Sequence, residues 1–304
     1  MLYSRIPAAD KRAAFRARLA RPEIAVLPGA FTPLSAKLIQ EKGFDGVYIS
    51  GAVLSAELGL PDVGLTTLSE VALRGGQIAR LTDLPAIIDA DTGFGEAMNI
   101  ARTVQELEDA GVAGLHLEDQ VNPKRCGHLD GKAVVDDTTA LQRITAAANA
   151  RRDPNLLLIA RTDIRAISGL DAAIVRAKQL VDAGADVIFP EAMVDLAEFE
   201  GIKRAIGDVP LLANMTEFGK SELFTHTQLE AAGVDLVIHP VSLLRIAFGA
   251  MERGLDTLRE AGTLQPEVAA MQTRARLYEL LDYEAYTAFD TDVFNFSLEK
   301  HFGA

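Results

Sequence analysis

The sequence predicts an α/β protein, a closed (β/α)8 barrel of the TIM type followed by additional helices. Three observations indicate this fold: eight short apolar runs rich in β-branched residues, helix-length segments between most of them, and a change of pattern after the eighth run. The chain has 304 residues, of which 49% are hydrophobic, so one large domain can bury a sizeable core. We therefore expect a single barrel domain over 1–304, with an N-terminal helix over 1–22 and a helical extension over 243–304.

The eight apolar runs are the predicted strands. They are almost continuously apolar rather than alternating, which is typical of strands that are buried on both faces of a parallel sheet. In chain order they cover 24–27, 46–49, 86–90, 114–117, 156–160, 187–189, 210–213 and 236–238. Eight strand–helix units favour a closed barrel over the alternative of a doubly wound open sheet.

Helices are expected between the strands. The segment that contains Val104, Leu107 and Ala110 carries an apolar stripe at helical spacing. Four of the linking segments finish with a glycine shortly before the next strand, which permits the left-handed conformation that commonly ends a helix. These glycines are Gly43, Gly111, Gly184 and Gly233.

The C-terminal extension is expected to contain two helical stretches, over 243–261 and about 266–290. The second stretch has more apolar residues than one exposed helix should carry, namely Val268, Met271, Leu277, Leu280, Leu281, Tyr286 and Phe289. Apolar patches of this kind usually mark an interface. Packing on another subunit and packing on the barrel of the same chain are both compatible with the pattern.

The composition narrows the choice of partners and compartment. A formal net charge of −13 disfavours nucleic acids and anionic membranes as partners, and no apolar stretch is long enough to cross a bilayer. The single cysteine excludes an intrachain disulfide and is compatible with a reducing compartment. We therefore expect a cytoplasmic protein that acts on a small molecule.

The only cysteine lies in the segment Lys124-Arg125-Cys126-Gly127-His128, shortly after the fourth predicted strand. Neighbouring cationic side chains make a thiol proton easier to remove, so Cys126 is a candidate acid, base or nucleophile. Gly127 keeps the backbone adaptable, as a loop over a substrate requires. The alternative is that Cys126 is a small buried hydrophobic residue, but lysine and arginine neighbours rarely accept full burial.

Acidic side chains follow several of the predicted strands. Asp89 and Asp91 are two residues apart on an extended backbone, so they point to the same side. With Glu118 they form a cluster of hard oxygen ligands suited to Mg²⁺ or Mn²⁺. On its own the Asp-x-Asp pattern is more typical of a helix cap with a solvated carboxylate. Asp119 and Glu191 on neighbouring strands favour the metal, because converging carboxylates repel unless a cation shares them.

Arginines and neutral hydrogen-bonding residues complete the predicted mouth of the barrel. Arg161 and Arg245, together with Arg125, are placed to bind substrate carboxylates through bidentate hydrogen bonds. Asn214 and Thr216 follow the seventh strand and offer neutral hydrogen bonds. Taken one at a time, these residue types more often form surface ion pairs and helix caps.

Nine segments together resemble the isocitrate lyase and phosphoenolpyruvate mutase superfamily, and most closely its branch that cleaves 2-methylisocitrate. They extend over nearly the whole chain, at 48–51, 58–62, 89–95, 114–120, 124–128, 160–163, 189–192, 214–219 and 271–274. The segment Lys124-Arg125-Cys126-Gly127-His128 is highly specific to the lyase branch. The sequence departs from the family pattern at Ala52, where a glycine is usual, and at His239, where tyrosine is common.

The resemblance implies roles for individual residues. Asp89 and Asp91 would bind Mg²⁺, with Mn²⁺ as an alternative, and Asp62 and Glu118 would lie nearby. Cys126 would be the catalytic acid. The other residues that it implies for catalysis are Tyr48, Lys124, Arg125, His128 and Glu118. Those that it implies for substrate binding are Ser50, Gly51, Ala52, Cys126, Gly127, Arg161, Glu191, Asn214, Met215, Thr216, Arg245 and Arg274.

The resemblance also implies an activity and an assembly. The reaction would be a Mg²⁺-dependent carbon–carbon cleavage of 2-methylisocitrate to pyruvate and succinate, in the methylcitrate route of propionate catabolism. The alternatives are cleavage of isocitrate to glyoxylate and succinate, or another lyase reaction on a 2-hydroxy or 2-oxo acid. The assembly would be a homotetramer whose subunits exchange their C-terminal helices.

Overall fold

The computed structural model describes residues 3–125, 131–219 and 221–295. The chain divides into two compact units. One unit, Arg5–Ile246, contains all eight strands, and we call it the barrel unit. The other consists of Ala247–Ala304 together with the first four residues, and we call it the C-terminal unit. The boundary falls inside a long helix, four residues after the position at which the helical extension was expected to begin.

The eight predicted strands are all present, and each begins and ends within two residues of its prediction. They are β1 (Ala25–Pro28), β2 (Val47–Ile49), β3 (Ala86–Asp89), β4 (Gly114–Glu118), β5 (Leu157–Thr162), β6 (Val187–Pro190), β7 (Leu212–Asn214) and β8 (Leu236–His239). Strands β2 to β6 pair in order as one parallel sheet, and β1, β8 and β7 form a second. Single parallel bridges, Gly29–Tyr48 and Ile188–Leu211, join the two sheets. The ring therefore closes, and the predicted barrel is confirmed.

Helices follow the strands as expected. They are α1 (Ala8–Leu19), α2 (Pro33–Glu41), α3 (Gly51–Glu57), α4 (Leu68–Ala79), α5 (Ala97–Asp109), α6 (Asp137–Ala150), α7 (Arg165–Asp182), α8 (Leu196–Ile206), α9 (His226–Ala231) and α10 (Ser242–Ala261). The four glycines predicted to end helices adopt φ values between 78° and 108°. This left-handed region favours glycine, and the prediction of helix ends is confirmed there. The short helix α3, directly after β2, was not predicted.

The core has two layers because alternate strand residues point to opposite faces. Ile88, Leu115 and Leu158 lie between the strands and the helices, whereas Ile87, Ile159 and their neighbours fill the barrel interior. Two side chains of α1, Phe15 and Leu19, belong to the interior cluster. Since Arg12 and Arg16 of α1 donate to the carbonyls of Val112 and Leu156, which precede β4 and β5, α1 covers the amino ends of the strands.

The C-terminal unit differs from its prediction. The expected second helical stretch, about 266–290, is divided into a short 3₁₀-helix (Gln265–Ala270), α11 (Arg274–Leu281) and α12 (Tyr283–Phe294). Thr273 accepts a hydrogen bond from the Arg276 N–H and so begins a new helix. Asp282 adopts a left-handed conformation with φ of 57°, which ends α11 before α12 begins. None of the described side chains of α10 and α12 is buried. No helix in the described part of the chain is long and apolar enough to span a membrane.

Candidate active site

A cavity of about 240 Å³ lies at the carboxyl ends of the strands, where the sequence predicted the site. It brings together most of the predicted site residues: Tyr48, Ser50, Ala52, Asp62, Asp89, Lys124, Arg161, Glu191, Asn214, Thr216 and Arg245. Two predicted metal ligands, Asp91 and Glu118, are not among its lining residues. Asp91 lines a larger cavity of about 700 Å³, in which only Asp91 and Arg102 are charged. The smaller, densely charged cavity is therefore the candidate active site.

Asp89, the last residue of β3, is held rigidly by the backbone. Its carboxylate accepts hydrogen bonds from the N–H groups of Gly51 (3.1 Å) and Asp91 (3.0 Å). A Cβ atom on Gly51 would lie 2.8 Å from Asp89 Oδ2, so this position excludes a side chain. Burial would raise the pKa of Asp89, but the positive charges of His116 in its protonated form at acid pH, of Lys124 and of Arg161 outweigh it and lower that pKa. Asp89 is thus an oriented anion.

Lys124 connects two further acidic residues. Its Nζ lies 2.6 Å from Asp91 Oδ1 and also contacts Asp62, and its side chain is almost fully buried. Although burial lowers the pKa of Lys124, the surrounding carboxylates raise it overall. The pKa of Asp91 is raised, first by burial and then by the negative charge of Asp89. Asp91 also has φ of 46°, a strained backbone for a residue with a side chain.

Glu118, at the end of β4, is the least satisfied acidic residue of the site. Its side chain is fully buried, and neither carboxylate oxygen accepts a hydrogen bond from any described residue. The nearest cation is Arg161, whose Nε lies 3.3 Å from Oε2 without hydrogen-bond geometry. Burial raises the pKa of Glu118 well above its ordinary value. A buried carboxylate with unused oxygens is suited to a ligand that the protein itself does not supply.

Tyr48 and His116 form a neutral pair in the barrel interior. Tyr48 Oη and His116 Nε2 are 2.7 Å apart, and the two rings are stacked. Burial lowers the pKa of His116 to about 4, and burial together with the charge of Asp89 raises the pKa of Tyr48. Both groups are therefore uncharged near neutral pH. This favours a role for Tyr48 as a hydrogen-bonding group rather than as a base.

Arg161, on β5, is surrounded by acidic residues. Its Nε and Nη2 donate to Asp163 at 3.0 and 3.2 Å, and its Nη1 lies 3.4 Å from Glu191 Oε2. The Phe189 ring lies beneath the guanidinium, 5.3 Å from its central carbon. These contacts hold the planar cation in one orientation at the wall of the cavity, as binding of a carboxylate requires.

A further part of the cavity lining comes from residues after β7 and β8. Arg245 Nη1 donates to Thr216 Oγ1 and Glu217 Oε2, both at 2.9 Å. The Phe218 side chain is 95% exposed, has φ of 62°, and lies 5.5 Å from the Arg245 guanidinium. Glu217 and Phe218 line the cavity but were not predicted individually. The signal was available, because both fall in the segment 214–219 that carries part of the resemblance.

Some predicted residues are not brought to the cavity. Met215 packs in the apolar core between strands and helices, and Gly51 contacts Asp89 rather than the cavity itself. Arg125 is exposed, and Arg274 begins α11 in the C-terminal unit. Cys126, Gly127 and His128 lie outside the described residues. The roles expected of all these residues stay predictions.

The chemistry of the acidic residues fits a hard divalent cation in part. Asp89, Asp91 and Glu118 provide only oxygen ligands, and both Glu118 oxygens accept no hydrogen bond from described residues, whereas Asp91 Oδ1 already faces the Lys124 ammonium at 2.6 Å. However, within 3–125, 131–219 and 221–295 no three acidic, histidine or cysteine side chains are spaced to bind an ion together. The Lys124 ammonium group lies among these carboxylates. Mg²⁺ tolerates such a site because it usually keeps several waters and takes ligands from a substrate.

Comparison with known proteins places this geometry in context. A family model described as phosphoenolpyruvate phosphomutase matches residues 15–259. A probable 2-methylisocitrate lyase of Corynebacterium glutamicum is 58% identical over 99% of this chain and 98% of its own. The 2-methylisocitrate lyase of Aeropyrum pernix is 45% identical over 91% of this chain and 89% of its own. Phosphonopyruvate hydrolase in complex with oxalate and Mg²⁺ superposes with a TM-score of 0.83, at 29% identity, over 96% of this chain and 98% of its own.

Proposed function

The chain belongs to the phosphoenolpyruvate phosphomutase family, and from this premise we propose that it cleaves 2-methylisocitrate to pyruvate and succinate. The observation that carries the proposal is one cavity that is lined by an oriented carboxylate, Asp89, and by two guanidinium groups, Arg161 and Arg245. Relatives with 43–59% identity over most of the chain are named for this reaction. The methylcitrate route of propionate catabolism would be its metabolic setting.

The arginines would bind the carboxylates of the substrate. A tricarboxylate that enters this acidic cavity needs fixed cations, and both Arg161 and Arg245 are held by hydrogen bonds to neighbouring acidic residues. When the carbon–carbon bond breaks, negative charge moves into the succinate half. Preoriented guanidinium groups stabilise such charge more effectively than water does, because they need not reorganise during the reaction.

Mg²⁺ is the cofactor that fits the acidic residues, with Mn²⁺ as an alternative. Asp89 and Asp91, with Glu118 and Asp62 nearby, would hold it, directly or through water. When bound, the ion would lower the pKa of the substrate hydroxyl and stabilise the carbonyl of pyruvate. Support comes from the related hydrolase whose complex contains Mg²⁺ and oxalate, a fragment that resembles the hydroxy-acid end of the substrate.

The reaction transfers protons at two positions. The hydroxyl proton leaves to a base among the carboxylates of the cavity, and the electrons of the O–H bond form the carbonyl of pyruvate. The electron pair of the broken carbon–carbon bond passes to the succinate half. Cys126 would then donate its thiol proton to that carbon and become a thiolate. Tyr48, uncharged near neutral pH, would hydrogen-bond the substrate.

The cavity also suggests why a methyl group would be accepted. Phe189 and Pro240 form an apolar part of its lining between the charged walls. A methyl group in an apolar pocket contributes about 1–3 kcal/mol of discrimination, so we expect preference over isocitrate rather than exclusion of it.

A comparison of substrates tests the proposal. Formation of pyruvate and succinate from 2-methylisocitrate, and of glyoxylate and succinate from isocitrate, is measured with Mg²⁺. We expect kcat/KM for 2-methylisocitrate to exceed that for isocitrate by about ten-fold or more. The reverse preference would replace the proposal with the isocitrate reaction, and the lack of either product would overturn it.

We also propose a cytoplasmic homotetramer with exchanged C-terminal helices. Its support is the exposed apolar surface of the C-terminal unit, which includes Phe248, Met251, Leu255, Phe289 and Phe294. Sedimentation equilibrium tests the number of subunits, and a monomer at micromolar concentration would contradict the proposal.

A further inference from the structure

We infer, on the basis of the proposed function, that Phe218 contacts the substrate and covers the ion pair between Arg245 and a carboxylate of the succinate half. Neither the sequence patterns nor the proposed reaction had assigned a role to this side chain. Two observations lead to it. Phe218 is both strained and exposed, and it lies beside an arginine that has hydrogen-bond donors left for a ligand.

Phe218 occupies an unfavourable position for a large apolar residue. Its φ of 62° lies in the left-handed region, which bulky residues rarely adopt. Its side chain is 95% exposed, the highest value among the large hydrophobic side chains of the described residues. Contacts within this part of the chain therefore compensate neither the backbone strain nor the exposure of the ring to water. Strain of this kind is typical of functional sites, and Phe218 lines the candidate cavity.

A second phenylalanine with a left-handed backbone shows the difference. Phe94 has φ of 59°, but its side chain is half-buried and packs against the apolar core between the strands and the helices. Apolar contacts offset the strain there. Phe218 buries almost no surface against the described residues, so a molecule in the cavity is the partner that would offset its strain.

The Phe218 ring lies next to Arg245 but covers little of it. The distance from the ring centre to the central guanidinium carbon is 5.5 Å, in the outer part of the range over which a cation attracts an aromatic face. Because the side chain is almost fully exposed, this contact buries hardly any apolar surface. The ring surface is therefore available to a molecule in the cavity that both residues line.

Arg245 is fixed through one nitrogen and open at the others. Its Nη1 donates to Thr216 Oγ1, to the Glu217 carbonyl and to Glu217 Oε2, at 2.8 to 2.9 Å. Glu217 is held in turn by Ser242, whose hydroxyl donates to its Oε1. Within 3–125, 131–219 and 221–295, Nε and Nη2 of Arg245 have no hydrogen-bond or ion-pair partner. An arginine edge with two N–H groups binds a carboxylate through two parallel hydrogen bonds.

Water weakens the ion pair that Arg245 can form with a substrate. The side chain of Arg245 is 37% exposed, whereas that of Arg161 is 9% exposed. Exposed ion pairs contribute little to binding because solvent and salt screen them. An apolar ring over a bound carboxylate excludes water, and the attraction becomes stronger as the local dielectric constant falls. Phe218 is thus placed to give Arg245 the shielding that burial already gives Arg161.

Steady-state kinetics of Phe218→Ala test the inference, with 2-methylisocitrate as substrate and Mg²⁺ present. We expect KM to rise by about ten-fold and kcat to change by less than about three-fold, because the ring contributes to binding and not to the chemical step. Phe218→Tyr keeps the ring and should restore KM to within about two-fold of the unmodified protein. Urea unfolding should have the same midpoint in all three proteins, since an exposed side chain adds little to stability.

The salt dependence of KM separates shielding of an ion pair from simple packing. Between about 0.05 and about 0.5 M NaCl, KM should rise about twice as steeply in Phe218→Ala as in the unmodified protein, because salt screens the uncovered ion pair. The matched control is Leu73→Ala on α4, which removes another exposed large apolar side chain that does not line the candidate cavity. We expect its KM to stay within about two-fold of the unmodified protein at both salt concentrations.

Three outcomes of these measurements would overturn the inference. The first is an unchanged KM in Phe218→Ala. The second is a raised KM with the salt dependence of the unmodified protein, because the ring would then not shield an ion pair. The third is a smaller assembly of Phe218→Ala in sedimentation, because the ring would then pack on another subunit rather than on the substrate.

A binding measurement keeps the inference separate from the proposed function. If the unmodified protein does not cleave 2-methylisocitrate, the proposed function fails, and titration calorimetry with succinate and Mg²⁺ decides the inference instead. Phe218→Ala should then bind succinate about five-fold more weakly than the unmodified protein. Equal affinities, or no binding of succinate by the unmodified protein, would overturn the inference.

Discussion

The two ends of the barrel bury cations in different ways. At the amino end, Lys11 and Arg12 of α1 are each 5% exposed. Lys11 Nζ donates to the carbonyls of Ala79 and Thr82, and Arg12 donates from Nε to the Val112 carbonyl at 2.8 Å. Most of these partners are backbone oxygens at fixed positions, and Arg12 Nη1 also donates to the carboxylate of Asp153 at 3.1 Å. The cations of α1 therefore donate hydrogen bonds to buried carbonyl groups of the loops at the amino ends of the strands, and they hold these loops against the helix.

At the carboxyl end, the buried cations face other charged side chains. Lys124 contacts Asp62 and Asp91, and Arg161 lies beside Glu118, whose oxygens accept no hydrogen bond from described residues. The residue types at the two ends are alike, and the difference lies in the partners. Charges bound by backbone carbonyls stabilise the fold, whereas charges with unused hydrogen-bonding capacity are placed for a ligand. Such a site is expected to reduce stability in favour of function.

The largest expected effect comes from Glu118→Gln at the carboxyl end. We predict that kcat/KM for 2-methylisocitrate falls by about 10³-fold or more, because the proposed Mg²⁺ site loses one of its carboxylates. The free energy of unfolding should not decrease, because the variant removes a buried carboxylate that makes no hydrogen bonds. Kinetics and urea unfolding provide the two measurements. A clear loss of stability with little loss of activity would contradict the comparison.

The opposite result is expected for Arg12→Met at the amino end. The variant leaves the carbonyls of Val112 and Glu108 without their buried donor and Asp153 without its ion-pair partner. The free energy of unfolding should therefore fall by about 2–4 kcal/mol. At temperatures well below unfolding, kcat/KM should stay within about two-fold of the unmodified protein. Urea unfolding monitored by circular dichroism measures the first quantity. If the free energy of unfolding of the variant equals that of the unmodified protein, these hydrogen bonds do not stabilise the fold.

A helix cap after β1 sharpens the comparison, because not every polar residue beyond a strand end serves the site. Thr32 caps α2 and forms a reciprocal pair of hydrogen bonds with Ser35. Thr32→Ala should lower the free energy of unfolding by about 1 kcal/mol and leave kinetics unchanged. Thr32→Ser is the matched control, since it keeps the capping hydroxyl. An activity loss in Thr32→Ala would extend the functional region to β1.

The smallest effect concerns pH. Burial and the neighbouring His226, whose Nε2 lies 3.0 Å from that of His239, lower the pKa of His239 below its ordinary 6.5. Between the two values the unfolded chain binds a proton that the folded chain does not, so stability should fall as pH decreases through about 6.5. The slope from one such group is at most about 1.4 kcal/mol per pH unit. His239→Gln should make the free energy of unfolding depend less on pH below about 6.5. An unchanged slope would mean that His239 is not the source of this pH dependence.

The sequence predicted the fold more completely than the contacts of the site. Buried strands leave a local signal, continuous apolar runs, so all eight were found, and strand ends identified Asp89, Asp91 and Arg161. The buried ion pair between Lys132 and Asp163 could not be predicted in this way. Its partners are 31 positions apart, and they meet because β4 pairs with β5 and the chain around Lys132 pairs with the residues that follow β4. The turn at Asp282 was also missed, because a single left-handed aspartate leaves the helical apolar pattern nearly intact.

The central claim is that the carboxyl end is a cation-dependent lyase site, and metal titration tests it most directly. Protein treated with EDTA and then dialysed is assayed for pyruvate formation from 2-methylisocitrate while Mg²⁺ is added back. We predict a rate at background without metal and a saturable recovery with Mg²⁺. Pyruvate formation that persists in full after removal of the metal would contradict the account.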